Sequence, residues 1–348
     1  MRRWLDMFAA HQPVRRIALD AGMHAAARLA DWLPAMRQRR RAAQLIGPLE
    51  YARPGGTPLH LDILRPRSGG PHPVLIYLHG GAFAIGSRRT HRALAAAYAA
   101  RGYLVCNVDY RLAPQYPFPA AVEDACAAWD WAATHIEDFG GDRQRMALAG
   151  ESAGANLALA VVLACCTRRP EPYAAALWAR GVRPVAALLY CGLLQTSQPT
   201  RYRRPQVSAM VARIIADTAR SYLGVSAEHP QPDQALADPL CIVEAMAAPS
   251  PLPPLFVAAG LNDPIADDSR RLEAALGQLD SPCSAHYYPG ETHAFHVMFW
   301  REAALRCWRD SFAFLDRYLP PGASMTAPAD SAPADRTVSP SPIASDSE

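Results

Sequence analysis

The chain has 348 residues, is 50% hydrophobic and 19% charged, and carries a formal net charge of +3. This apolar content suits one globular catalytic domain with a sizeable core and an insertion. All 35 basic residues are arginine and the net charge is small, so no nucleic-acid partner is expected; Arg39-Arg40-Arg41 is the dense basic run and reads as a solvated face.

The chain opens Met1-Arg2-Arg3-Trp4-Leu5, but Asp6, His11, Arg15 and Arg16 interrupt any apolar core, so a signal peptide is not expected. No apolar stretch reaches membrane-spanning length, so no stable membrane insertion is expected either. Residues 1–45 place Trp4, Phe8, Ile17, Leu29 and Trp32-Leu33 at helical spacing. Strand candidates follow at His60–Leu64, Val74–Tyr77, Leu104–Val108, Met146–Ala149, Val185–Leu189, Leu255–Ala258 and Ala285–Tyr288, with helices such as Ala120–Ala133 between the middle ones. Apolar strands separated by helices predict an α/β fold with a mostly parallel central sheet and helices on both faces. Val207–Leu223 reads as an amphipathic helix, with Met210, Ile214, Ile215 and Tyr222 recurring at helical spacing. From Pro320 to Glu348 the composition turns to Pro, Ser, Ala and Asp, which predicts disorder. Eight cysteines show no zinc-like spacing. Cys106, Cys126 and Cys191 sit in apolar runs and read as buried thiols, and Cys165-Cys166 closes a helix, which points to a reducing, cytoplasmic location without disulfides. No metal and no cofactor is expected, because no His/Asp/Glu cluster has ligand spacing.

The chemistry concentrates in two glycine-bearing loops. Gly150-Glu151-Ser152-Ala153-Gly154 lies between the apolar run Met146–Ala149 and the buried-helix candidate Ala155–Ala164. A strand turning sharply into a helix strains the serine backbone and exposes its hydroxyl, which is the pattern of a nucleophile elbow. Gly150 and Gly154 leave room for a close backbone crossing. Upstream, Leu78-His79-Gly80-Gly81-Ala82-Phe83 follows the strand Pro73–Tyr77. Its backbone N–H groups at Gly80 and Gly81, with that of Ala153, can meet a developing oxyanion. His79 is expected to pack beside this loop and steady it.

A serine hydroxyl needs a base within reach. Downstream of Ser152 the candidates are His229, His286, His293 and His296. His229 lies in a Pro-rich segment, His286 inside the last strand, and His296 at a helix start; His293 sits on the loop Pro289–Thr292 opens, between last strand and final helix. The acid is expected on the loop after Pro254–Gly260, which carries Asp263, Asp267 and Asp268. Asp267 and Asp268 suit the start of the next helix.

These motifs together resemble the hormone-sensitive lipase-like family of α/β-hydrolases, the bacterial family IV esterases. The matching residues are His79-Gly80-Gly81, Tyr110-Arg111-Leu112-Ala113-Pro114, Gly150–Gly154, Asp263-Pro264-Ile265 and His293-Ala294-Phe295, with weaker matches at Asp238-Pro239-Leu240 and Leu252-Pro253-Pro254. Gln115 stands where the family usually has glutamate, Ala294 where it has glycine, and Glu151 where aspartate or threonine is more frequent. The resemblance covers roughly residues 45–320 and implies the α/β-hydrolase fold with a helical cap. It implies an N-terminal cap segment at 1–45, a core at 46–194 and 246–320, a cap insertion at 195–245, and the tail at 321–348. It implies Asp263 as the acid beside His293, structural roles for Asp109 and Arg111 near a loop that braces the site, and a chain able to form a homodimer.

The activity expected is hydrolysis of short- to medium-chain esters through an acyl-enzyme, with a small-molecule ester as substrate. An amidase, deacetylase or lactonase would use the same three residues, because fold does not determine substrate. A non-catalytic hydrolase-like receptor is the second alternative; such proteins lose a triad member, and here Ser152, Asp263 and His293 are all present.

Overall fold

The structure is a computed structural model that describes residues 12–30, 34–67, 69–224, 232–249 and 251–322. Its elements in chain order are α1 (Gln12–Ala30), α2 (Pro34–Ala42), β1 (Ala43–Ala52), β2 (Leu59–Pro66), β3 (His72–Leu78), α3 (Arg92–Ala99), β4 (Leu104–Val108), α4 (Ala120–His135), β5 (Gly141–Glu151), α5 (Ala153–Cys166) and α6 (Pro172–Arg180). Then come β6 (Ala187–Tyr190), α7 (Ala209–Leu223), α8 (Pro239–Glu244), β7 (Leu255–Gly260), α9 (Ala266–Gln278), β8 (Cys283–Tyr288) and α10 (Glu302–Tyr318).

The strands form one eight-stranded sheet in the order β1-β2-β4-β3-β5-β6-β7-β8. The β1/β2 and β2/β4 pairs are antiparallel and the remaining pairs are parallel. Every residue of β3, β4, β6 and β7 is buried, which is why these strands read as unbroken apolar runs. One face carries α4, α5 and α6, and the other carries α3 and α10. All fourteen residues of α5 are buried, so this helix shows no polar face.

All seven anticipated strands are present. The sequence reading missed β1, which belongs to the segment expected to end a helical region. It is an edge strand whose side chains are mostly exposed or half-exposed, and Gly47-Pro48 breaks its register against β2, so it lacks the apolar run that marks the others. The amphipathic helix is present as α7, capped by the Ser208 hydroxyl, but Met210 is exposed and does not belong to the packed face of Ile215, Ala219 and Tyr222. Trp4, Phe8, Trp32, Leu33, His229 and the tail beyond Gly322 lie outside the described residues. Among the described residues no helix is long and apolar enough to cross a membrane.

Chain order places β4 on one side of β3 and β5 on the other, so the direction of winding reverses between β3 and β5, the place where open α/β sheets build sites at their carboxyl ends. There the backbone of the elbow after β5 crosses the end of β3. A Cβ on Gly154 would stand 1.9 Å from the Leu78 carbonyl oxygen, and one on Gly150 would stand 2.3 Å from the Gly154 oxygen. Both clashes are with backbone, which no rotamer change relieves. We expect Gly154→Ala to destabilise the protein by about 3 kcal/mol, the upper range for overpacking. Chemical denaturation checks this, and an unchanged midpoint would contradict the crossing.

Candidate active site

Ser152 sits between β5 and α5 with φ 54° and ψ −115°, outside the regions an L-residue adopts freely. The strain is held by the surrounding structure: the Ser152 N–H donates to the Tyr190 carbonyl at 2.8 Å, and the Ser152 carbonyl accepts from Asn156 N–H at 3.3 Å and Leu193 N–H at 3.3 Å. The Asn156 amide in turn donates to the carbonyls of Leu193 and Ala237.

The loops after β7 and β8 bring two more groups to this point. His293 Nε2 lies 3.0 Å from Ser152 Oγ, and His293 Nδ1 lies 2.8 Å from Asp263 Oδ2. The other Asp263 oxygen accepts the Ile265 N–H at 3.0 Å, which fixes the carboxylate. Asp263 is buried, while the His293 side chain keeps 36% of its surface accessible. Burial opposes charge on His293, but the Asp263 carboxylate outweighs it, and the imidazole pKa is raised above 6.5. The geometry holds a hydroxyl, an imidazole and a carboxylate in one hydrogen-bonded line.

The other candidates of the same types lie elsewhere. Asp267 pairs with Arg204 and Arg270 at the start of α9. Asp268 is fully buried and accepts from the N–H groups of Leu194 and Gln195 and from Arg201. These two carboxylates tie the segment after β6 to α9. His286 lies on β8 with its ring stacked on Phe256, 5.1 Å between centroids, and bonded to Ser284. His296 is buried against the Tyr190 ring at 4.7 Å, and burial pushes its pKa down to about 4.

The His79 loop requires one correction. The N–H of Gly80 donates to Glu151 Oε1 at 2.6 Å, so it is not available to an oxyanion. Among the described residues, the N–H groups of Gly81 and Ala82 have no hydrogen-bond acceptor, and neither does that of Ala153 at the first position of α5. The uncommitted N–H groups of this loop therefore begin one residue further along than Gly80. His79 itself is buried, with its ring 4.3 Å from that of Tyr110 and 5.2 Å from that of His91. Burial, with His91 nearby, lowers its pKa to about 4, and its carbonyl accepts the Tyr110 hydroxyl at 2.7 Å. It packs beside the loop as a neutral ring.

The same loop is held from three sides. Asp20 of α1 accepts the Gly86 N–H, Phe83 accepts the Ala113 N–H, and the Phe83 ring stacks on Tyr222 of α7 at 3.7 Å. Asp109 pairs with Arg88, and Arg111 pairs with Asp124 and Glu123. Ala294, beside His293, adopts φ 57° and ψ 26°, the left-handed region where glycine is the unstrained residue.

Two groups that the sequence reading names without placing them at the site stand beside it. Glu151 is buried among Gly80, Tyr77 and His91, and although burial raises its pKa, His91 and Tyr77 bring it down to about 2. Cys191, after β6, is buried with φ 40°. Its sulfur, an Asp263 oxygen and a His293 nitrogen lie within 4.8 Å of one another, the group of three potential metal donors among the described residues. Two of the three, Asp263 and His293, are already bonded to each other at 2.8 Å, with the Cys191 thiol beside them. Residue type alone could not have placed Cys191 here, since only the sheet brings the ends of β6, β7 and β8 together.

The sequence matches the model of a family described as alpha/beta hydrolase fold over residues 75–297. An acetyl-hydrolase of Streptomyces hygroscopicus is 35% identical over 241 residues, covering 67% of this chain and 70% of that protein. Esterase LipI of Mycobacterium tuberculosis is 31% identical over 226 residues, covering 64% of this chain and 65% of the relative, slightly under two thirds of its length. Among solved structures, a bacterial heroin esterase superposes with a TM-score of 0.73 at 25% identity, covering 89% of this chain and 93% of that one.

The two histidines should titrate apart by NMR, His293 above 6.5 and His296 near 4. A raised pKa favours the protonated ring, so the His293 contribution to stability is present below the unfolded value and is lost as pH rises through the folded one. Asp263→Asn should lower the His293 pKa; an unshifted titration would show that the carboxylate does not govern the ring.

Proposed function

The chain belongs to the α/β-hydrolase fold family, in its hormone-sensitive lipase-like branch of ester hydrolases, and we propose that it hydrolyses short- to medium-chain acyl esters through an acyl-enzyme on Ser152. The observation that carries the reading is the line Ser152 Oγ, His293, Asp263, with contacts of 3.0 and 2.8 Å.

In this reading His293 Nε2 takes the Ser152 proton as Oγ attacks the ester carbonyl. Asp263 holds the Nδ1–H tautomer and stabilises the imidazolium without taking the proton. The tetrahedral oxyanion is met by the N–H groups of Gly81 and Ala153, with Ala82 next along the loop and the α5 N-terminus adding its dipole. His293 then protonates the leaving alcohol, the acyl group stays on Ser152, and a water activated by the same ring releases the acid. Loss of one oxyanion donor lowers turnover by about 10²–10³. Because the base must be neutral, kcat/KM should rise with pH through the His293 pKa.

We read α1 and the segment 195–245 as a cap that shapes the acyl and alcohol pockets. Support comes from Tyr222 of α7 against Phe83 and from Asp20 of α1 on Gly86, both on the loop that carries the oxyanion donors. The acyl-length range follows the family and the acetyl-hydrolase relative. Amides and lactones are the alternative substrates for the same three residues.

A p-nitrophenyl ester series from acetate upward should show the highest rates on short and medium chains, with a burst in the wild type. Ser152→Ala should abolish turnover, a loss of about 10⁶ by comparison with other serine hydrolases, while leaving the fold intact. Turnover surviving that substitution would contradict the assignment, and matched amide and lactone substrates decide between the alternatives.

A further inference from the structure

We infer that Glu151, the residue before the nucleophile, is a positioning residue that aims the oxyanion loop; this rests on the reading of Ser152 as nucleophile. Glu151 ends β5 and its side chain turns back under the loop after β3. Oε1 accepts the Gly80 N–H at 2.6 Å and lies 2.9 Å from His91 Nε2, while Oε2 accepts the Tyr77 hydroxyl. The acceptor is a carboxylate, so these bonds are charge-assisted and shorter and stronger than neutral ones. His91 is positioned to offset the negative charge, with Thr90 Oγ1 2.8 Å from its other ring nitrogen. The Gly80 side of the contact is equally constrained, because a Cβ there would stand 3.0–3.1 Å from the Glu151 carbonyl oxygen, Cγ and Oε1.

The consequence reaches the next peptide. With its N–H fixed toward Glu151, Gly80 turns the chain into Gly81, whose φ of 120° reverses the direction and presses it against Ile85, where a Cβ would meet the Ile85 oxygen at 2.1 Å. Among the described residues the N–H groups of Gly81 and Ala82 are left without an acceptor, on the loop that the elbow carrying Ser152 crosses. Without the carboxylate, the buried Gly80 N–H has no acceptor, and the peptide has to rotate to find one. That rotation swings the neighbouring donors off the oxyanion position. One side chain thereby couples the elbow that carries Ser152 to the loop that stabilises its product.

The test uses the full chain as wild type, Glu151→Gln and Glu151→Ala. Active sites are counted with a fluorophosphonate, and kcat and KM are measured on p-nitrophenyl acetate. Inhibition by a short trifluoromethyl ketone is measured in parallel, since its hemiketal oxygen occupies the oxyanion position. Glu151→Ala should lose about 10² in kcat per labelled site, approaching the loss of an oxyanion donor, with KM within about twofold. Glu151→Gln keeps an acceptor without the charge and should recover most of this, losing about 5–10-fold. The ketone inhibition constant should rise by the same factors. If the glutamate only packs, the labelled fraction and Tm fall while kcat per site and the inhibition constant stay at wild-type values, which would overturn the assignment. Should Glu151→Ala not fold, wild-type values in Glu151→Gln overturn it equally. A wild type that neither labels nor binds the ketone would instead sink the reading of Ser152, and the role of Glu151 with it.

Discussion

The backbone crossing at Gly154 is the constraint on which the rest of the site depends. Leu78 ends β3, Glu151 ends β5, and the first turn of α5 lies directly against the Leu78 carbonyl, with no space for even one methyl group. This contact is possible because β3 and β5 are parallel neighbours in register, Leu78 opposite Gly150. It brings the loop after β3 and the strained serine after β5 to the same end of the sheet. Ser152 and the backbone of the loop after β3 are then held by one junction. The loops after β7 and β8 need only reach that point, and they do so with an acid and an imidazole.

The charges around this junction are sorted by environment. The Asp263 carboxylate raises the pKa of His293 against burial, while burial, helped by neighbouring histidines, lowers the pKa of His296 and of His79 to about 4. These three histidines thus differ in the direction of their pKa shifts, because only His293 meets a carboxylate at hydrogen-bond distance. A fourth, His91, has its own carboxylate in Glu151, and burial opposes but does not prevent a raised pKa. The segments around α1 and α7 join this arrangement through Asp20 on Gly86 and Tyr222 against Phe83, both contacts on the loop after β3.

Much of this was legible in the sequence for physical reasons. Strands buried on both faces are unbroken apolar runs, so β3, β4, β6, β7 and the second half of β5 announce themselves, and the glycines around Ser152 mark the strand-to-helix turn. The edge strand β1 gave no such signal, because its side chains are largely solvated and a glycine-proline pair interrupts it. The error at Gly80 has a different origin. Its N–H is taken by a side chain 71 positions later, and nothing in the local pattern of either segment announces that bond. The same applies to Cys191, which reads as an ordinary buried thiol and stands beside Asp263 and His293. Met210 repeats at helical spacing yet faces outward, since periodicity defines a stripe on α7 but not how much of it is covered.

The most direct test of the central claim is to trap the covalent intermediate. The wild type would be mixed with p-nitrophenyl acetate, quenched in acid within the burst, digested, and analysed by mass spectrometry. The account predicts one acetyl group on the peptide that contains Ser152, and none there when deacylation is allowed to finish. Rapid p-nitrophenol release with Ser152 unmodified throughout would contradict it.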